Sequence, residues 1–363
     1  MRNRALILMD KILNIPDELR NVDKENMTGA IMNLPEQFER ALKIGEEGAL
    51  PVLNKGLCNL LILGLGGSAI GGDLLRTLLA DEIGIPVVVN REYDIPAFVG
   101  KDTLVVASSY SGNTEETLTA YSQAKARGSQ LMAITTGGKL KEMAEDDGVP
   151  VIEIPSGLQP RAAIGYSFLP FLVALWRLGL IQNKRRDVEE MIALLKEMRG
   201  ELGPESLGER NLAKELAAKL YGKNPVVYGS YGWKSAVALR WKTQINENSK
   251  SPCYYNFFPE LNHNEIVGTE VPEELLKKVE IIILRDESDP ARIQKRIEVT
   301  KTILEERVGG ISEVWAEGKS QLAKLFSLIY IGDFTSLYLA ILNGIDPSPV
   351  NVISHLKKEL AKV

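Results

Sequence analysis

Cysteine and histidine are nearly absent from this chain, with two of each among 363 residues. Cys58 and Cys253 lie far apart, which excludes a disulfide framework and a cysteine-based metal site. No other cluster of metal ligands stands out, and no metal is expected. A surplus of positive charge is missing too. The net charge is −5 and no basic run is sustained, so nothing points to a nucleic-acid partner. Lys184-Arg185-Arg186 reads as a solvated corner near a linker. No apolar run approaches the roughly 20 residues needed to span a bilayer. The first residues, with Arg2, Arg4, Asp10 and Lys11, lack a signal-peptide core. Low-complexity segments are also missing. Together these absences describe a soluble protein of a reducing cytoplasm, with neither nucleic acid nor membrane as partner.

What is present is ordinary globular composition, 45% hydrophobic and 25% charged, in a chain long enough for two α/β domains. Residues 1–56 read as a helical extension packed on the first domain, with apolar positions at helical spacing interrupted by Pro16, Pro35 and Pro51. From Asn59 the pattern changes. Leu60-Leu61-Ile62-Leu63 is a continuous apolar run, as in a strand buried on both faces of a parallel sheet. Further strands are expected over 86–89, 103–108, 130–135 and 149–154, with helices between them. A second round follows: strands over 225–228, 279–284 and 311–315, and helices over 233–248, 290–307 and 318–342. The expected fold is therefore α/β, two doubly wound parallel sheets after a helical extension. The domains are placed at 57–181 and 205–363, with the change of domain between 181 and 204.

The most informative stretch is Ser108-Ser109-Tyr110-Ser111-Gly112-Asn113-Thr114-Glu115-Glu116, where a strand feeds a helix. Ser109, Ser111 and Thr114 converge at a helix amino end, whose unpaired N–H groups and dipole favour a phosphate. The lysine of a P-loop is missing. The stretch fits a pocket for a small phosphorylated metabolite, or merely a serine-rich loop in which Thr114 caps the helix. Earlier, Gly64, Gly66 and Ala69 satisfy a relaxed dinucleotide fingerprint after a strand. The acidic residue wanted at the end of the second strand is replaced by Asn90-Arg91. Arg91 facing a 2′-phosphate keeps an NADP-dependent oxidoreductase as an alternative. A single phosphosugar held by both loops, with Gly67 allowing close backbone approach and Ser68 donating a hydroxyl, uses all of these features without a cofactor.

Taken together, four segments resemble one family. Gly66-Gly67-Ser68, Ser109 to Thr114, Pro155-Ser156-Gly157 with Pro160-Arg161, and Glu260-Leu261-Asn262-His263-Asn264-Glu265 are similar to the bifunctional phosphoglucose/phosphomannose isomerases of archaea and bacteria. The resemblance implies two sugar isomerase domains, a homodimer, and cofactor-free interconversion of glucose 6-phosphate or mannose 6-phosphate with fructose 6-phosphate in glycolysis and gluconeogenesis. A non-catalytic sugar-phosphate regulator of the same superfamily is the other reading. Such regulators usually carry a DNA-binding helix pair, and residues 1–56 contain no basic recognition helix.

Moving a carbonyl between C1 and C2 needs a base, a cation for the enediolate, and an acid–base group to open the ring. On the helix over 233–248, Trp233, Val237, Trp241 and Ile245 form an apolar stripe, while Arg240, Thr243 and Glu247 fall on another face. A carboxylate near a helix carboxyl end is disfavoured by the dipole, which suits a base. It also describes an exposed residue in a fraying turn. The resemblance places the family's base at Glu247. It likewise implies ring opening by His263, supplied to the neighbouring subunit, and enediolate stabilisation by Arg161. A lysine of the final helix is carried over as Lys357, with Lys358 and His355 in the same turn. The phosphate falls to Gly67, Ser68, Ser109, Ser111 and Thr114.

Overall fold

The computed structural model describes residues 13, 14, 16–360 and 362. The first sheet-bearing part follows helices α1 (Pro16–Val22), α2 (Met27–Met32) and α3 (Leu34–Glu47). In it β1 (Asn59–Leu63), α4 (Gly66–Leu78), β2 (Val87–Asn90), β3 (Thr103–Ser109), α5 (Glu115–Ala126), β4 (Gln130–Thr135), α6 (Gly138–Asp146) and β5 (Val151–Glu153) alternate. A 3-10 turn (Pro160–Ala162), α7 (Ile164–Arg177) and α8 (Arg185–Leu202) complete it. The second part holds α9 (Leu212–Leu220), β6 (Asn224–Ser230), α10 (Trp233–Asn248), β7 (Tyr254–Phe258), α11 (Glu273–Leu276), β8 (Val279–Arg285) and α12 (Ala291–Leu304). It ends with β9 (Gly310–Trp315), α13 (Gln321–Leu342) and α14 (Asn351–Leu360).

The chain divides into two compact units. One holds Asn33–Ala193 and Ser320–Ala323, and the other holds Leu194–Lys319, Lys324 onward, and the segment ending at Met32. The amino-terminal segment is thus shared. α3 packs on α7 in the first unit, with Gln37 Nε2 donating to Ala162 O at 3.0 Å. Met32 O, in the second unit, accepts from Tyr330 Oη at 3.3 Å.

All strands in both sheets run parallel. The first sheet has the order β2-β1-β3-β4-β5, with Leu61 beside Val105 and Val105 beside Leu131. These side chains are fully or almost fully buried, so the strands read as unbroken apolar runs. The order reverses between β1 and β3, and ligands of such sheets settle in the crevice outside the carboxyl ends of those two strands. The Gly64 and Ser109 loops emerge there.

The second sheet, β7-β6-β8-β9, repeats the order of the first four strands. Its own crevice, beyond β6 and β8, is filled by internal charge. Lys234 Nζ lies 3.0 Å from Asp289 Oδ1, which also accepts from Ser230 Oγ at 2.7 Å, while Lys324 Nζ donates to Asp286 Oδ1 at 2.8 Å. Duplication of the topology has not duplicated the hydroxyl-lined seat.

Two features depart from the sequence reading. β7 has no counterpart among the expected strands, because Tyr254 and Tyr255 at its start are exposed on a sheet edge and it shows no apolar run. α13 is long and apolar enough to cross a bilayer, contrary to the expectation that no segment approaches that length. Asp333 interrupts its apolar run in the sequence, and its apolar window is wholly buried as a core helix of the fold.

Candidate active site

In the first unit, close backbone contacts build one cradle. A Cβ on Gly64 would stand 3.0 Å from Ser108 O, so the two loops touch where β1 and β3 end. Ser68, in the first turn of α4, is buried, and its Oγ accepts the Tyr110 N–H at 3.2 Å. Ser109 Oγ and Thr114 Oγ1 lie 3.0 Å apart. Thr114 stands at the N-cap of α5, yet its side chain accepts no helix N–H. The simple capping reading therefore gives way. The hydroxyl turns to Ser109 and leaves the helix amino end open to an anion. Ser111 is exposed, with its Oγ accepting the Asn113 N–H at 3.3 Å.

Gly67 explains how Arg161 reaches this region. A Cβ there would lie 2.7 Å from Pro160 O and 3.3 Å from Arg161 N, so only glycine lets the 3-10 turn press on α4. Arg161 itself is buried, at 3% exposure. Tyr110 holds the preceding loop: its Oη donates to Pro155 O at 3.0 Å and accepts the Leu158 N–H at 3.1 Å. Burial pushes this phenol up, the Leu158 N–H opposing, so it stays a donor at neutral pH. Gly67, Ser68, Ser109, Ser111 and Thr114 thus lie on two neighbouring loops, and the Arg161 backbone packs against Gly67. The Arg91 guanidinium, the candidate for a 2′-phosphate, is instead engaged by the buried Asp73 of α4. Because anchoring acts alike on ground and transition states, Ser109→Ala is expected to raise KM for a sugar phosphate more than it lowers kcat. Steady-state kinetics of the variant checks this.

In the second unit, Glu247 sits half-buried in the last turn of α10. It opens on a recess of about 630 Å³ lined by Asn246, Lys250, Ser251, Pro252 and residues 349–353. Lys250 Nζ donates to Glu247 O at 2.6 Å and to Pro347 O at 2.8 Å, tying the end of α10 to the turn before α14. His263 ends the 3-10 turn Glu260–His263, which Leu261 anchors in the core. Asn262 Nδ2 donates to Thr300 Oγ1 at 2.9 Å, and Asn264 Nδ2 to Glu260 Oε1 at 2.7 Å. The imidazole is exposed, without a hydrogen-bond partner among the described residues. Next to this turn, Glu265 accepts from Tyr228 Oη at 2.6 Å, and burial with that carboxylate holds the Tyr228 phenol well above its ordinary value. Lys357, Lys358 and His355 lie on α14, which is exposed on every side. Neither they nor His263 line the Glu247 recess. Among the described residues no three His, Cys, Asp or Glu side chains are grouped to hold a metal.

Comparison with known proteins adds the decisive observation. Residues 58–177 match the SIS domain, and residues 209–360 match the bacterial phospho-glucose isomerase C-terminal SIS domain. A bifunctional phosphoglucose/phosphomannose isomerase of Caldicellulosiruptor bescii is 52% identical over 337 residues, covering 93% of this chain and 99% of that one. This chain belongs to the bifunctional phosphoglucose/phosphomannose isomerase family. An Aquifex aeolicus member is 40% identical over 82% of this chain and 89% of its own length. Among solved structures, a hypothetical protein of Thermus thermophilus superposes with a TM-score of 0.76. It covers 99% of this chain and 95% of that one at 16% identity, a likeness of fold alone. Within the family frame, the hydroxyl cradle belongs to the SIS match, and Glu247 and His263 to the carboxyl-terminal match.

Proposed function

We propose that this chain interconverts glucose 6-phosphate and mannose 6-phosphate with fructose 6-phosphate, without cofactor, through an enediolate. Identity of 52% to a bifunctional enzyme over nearly the whole chain carries the reading. Glu247 is the base that moves a proton between C1 and C2, and its half-buried place on a recess supports that role. Arg161 offsets the enediolate charge, its burial making a cation more effective than one in water. Gly67, Ser68, Ser109, Ser111 and Thr114 take the phosphate. His263 opens the ring in the neighbouring subunit of a homodimer, and its exposed imidazole supports that role. Lys357 is assigned to the sugar hydroxyls near the ring oxygen. The sugar isomerase domains are assigned to 57–181 and 205–363, a reading supported by family matches over 58–177 and 209–360. The enzyme acts in the cytoplasm, in glycolysis and gluconeogenesis.

Coupled assays with glucose 6-phosphate and mannose 6-phosphate side by side test the substrate range. Comparable rates on both are expected with no added metal or nicotinamide. Turnover of the glucose epimer alone would contradict bifunctionality.

A further inference from the structure

α10 carries two buried stripes rather than one. Trp233, Val237, Trp241 and Ile245 form the apolar stripe, and Arg240, Gln244 and Asn248, again four apart, form a polar one. The polar stripe is clasped by α13. Arg240 Nη2 donates to Asp333 Oδ2 at 2.6 Å, and Gln244 Nε2 donates to Asp333 Oδ1 at 2.9 Å. One turn on, Asn248 Nδ2 donates to Ser336 Oγ at 2.9 Å, and Ser249 Oγ donates to Ser336 O at 2.6 Å. Trp241 Nε1 also donates to Leu328 O at 2.8 Å, and α13 provides Gly332 where any Cβ would fall within the indole.

Stability alone does not account for this arrangement. A buried ion pair seldom outperforms well-packed apolar residues of similar volume. Gln244 also leaves its Oε1 buried without a partner among the described residues, a cost that a methionine would not carry. What such contacts supply is direction. Apolar packing tolerates sliding and rotation, whereas hydrogen bonds are limited in length and angle. With each oxygen of Asp333 held by a different turn of α10, both the rotation and the axial position of that helix are set. Glu247 lies three residues beyond Gln244 and one before Asn248, so those bonds set its aim.

We propose that Asp333, through Arg240 and Gln244, is a positioning residue for Glu247. The proposal rests on Glu247 being the base. Asp333→Asn would leave Arg240 buried beside a neutral partner and risks misfolding, so two gentler variants carry the test. The double variant Arg240→Met/Asp333→Leu replaces the pair with apolar volume, and Gln244→Met removes one bond without unpairing a charge. Each is assayed on fructose 6-phosphate alongside a thermal melt. Expected is kcat lower by about 10- to 100-fold in the double variant and less in Gln244→Met, with KM and melting temperature near wild type. In a Glu247→Gln background the same changes should lower kcat no further, since the group they aim is gone. Full turnover by either variant in folded form overturns the proposal, as does an undiminished further loss in that background. If the double variant does not fold, Gln244→Met alone decides by the same criterion. Failure of the base assignment is distinguishable, because it appears as near wild-type turnover by Glu247→Gln itself.

Discussion

Glu247→Gln is expected to lower kcat for aldose–ketose interconversion by about 10²–10⁴-fold, the usual contribution of a general base. The amide has nearly the shape of the carboxylate and keeps the side chain on the recess formed with Asn246, Lys250 and residues 349–353. It cannot accept a proton from C1 or C2. The hydroxyl cradle at the ends of β1 and β3, proposed to hold the phosphate, is untouched, so KM should stay within about twofold. Both aldose phosphates should lose activity in parallel, because one base serves both epimers. Steady-state kinetics on the two substrates, with a thermal melt to show folding, checks the result. Turnover near wild type in a folded variant would remove Glu247 from the mechanism.

Gly112→Ala is expected to be the most damaging small substitution in the cradle. Gly112 has φ of +67°, and an added Cβ would overlap the Gly137 carbonyl oxygen while standing 2.9 Å from Thr135 Oγ1. The obstacle is backbone, so no rotamer relieves it. Gly112 O also accepts the Leu140 N–H at 2.9 Å, which leaves the loop little freedom to withdraw. The combined cost is about 3 kcal/mol or more. At a few degrees per kcal/mol, the thermal midpoint falls by roughly 6–12 °C. KM for sugar phosphates rises with it, since the Ser109–Thr114 pair lies on the same loop. Gly128 is the control. Its φ is +73°, but nothing lies within 4 Å of its would-be Cβ. Gly128→Ala should therefore cost only the backbone strain, about 1 kcal/mol. Equal losses in the two variants would contradict the steric account.

What the sequence discloses follows the range of the interactions involved. The strand at Leu60 to Leu63 is legible because burial on both faces leaves an unbroken apolar run. The hydroxyl loop is legible because strand, turn and helix signals adjoin within nine residues. β7 is hidden by its exposed tyrosines, since an edge strand need not alternate. Contacts between distant residues leave no local trace. Gly67 looks like part of a phosphate loop, yet its lack of a side chain is demanded by Pro160. Arg240 reads as a residue off the apolar stripe until Asp333, 93 positions later, is found to bury it. The capping reading of Thr114 fails for a related reason, because Ser109 competes for its hydroxyl across the loop. Lys357 could not be separated from Lys358 and His355 by helical phase, and on the exposed α14 no contact separates them either.

The enediolate account meets its most direct test in D2O. Fructose 6-phosphate is incubated with the wild-type protein, and the aldose phosphates formed are examined by NMR. Proton transfer through Glu247 predicts deuterium at C2 of both the glucose and the mannose epimer, because a carboxyl proton can exchange with solvent before it is returned. Complete retention of protium at C2 in both products, the outcome of direct hydride transfer, would contradict the account.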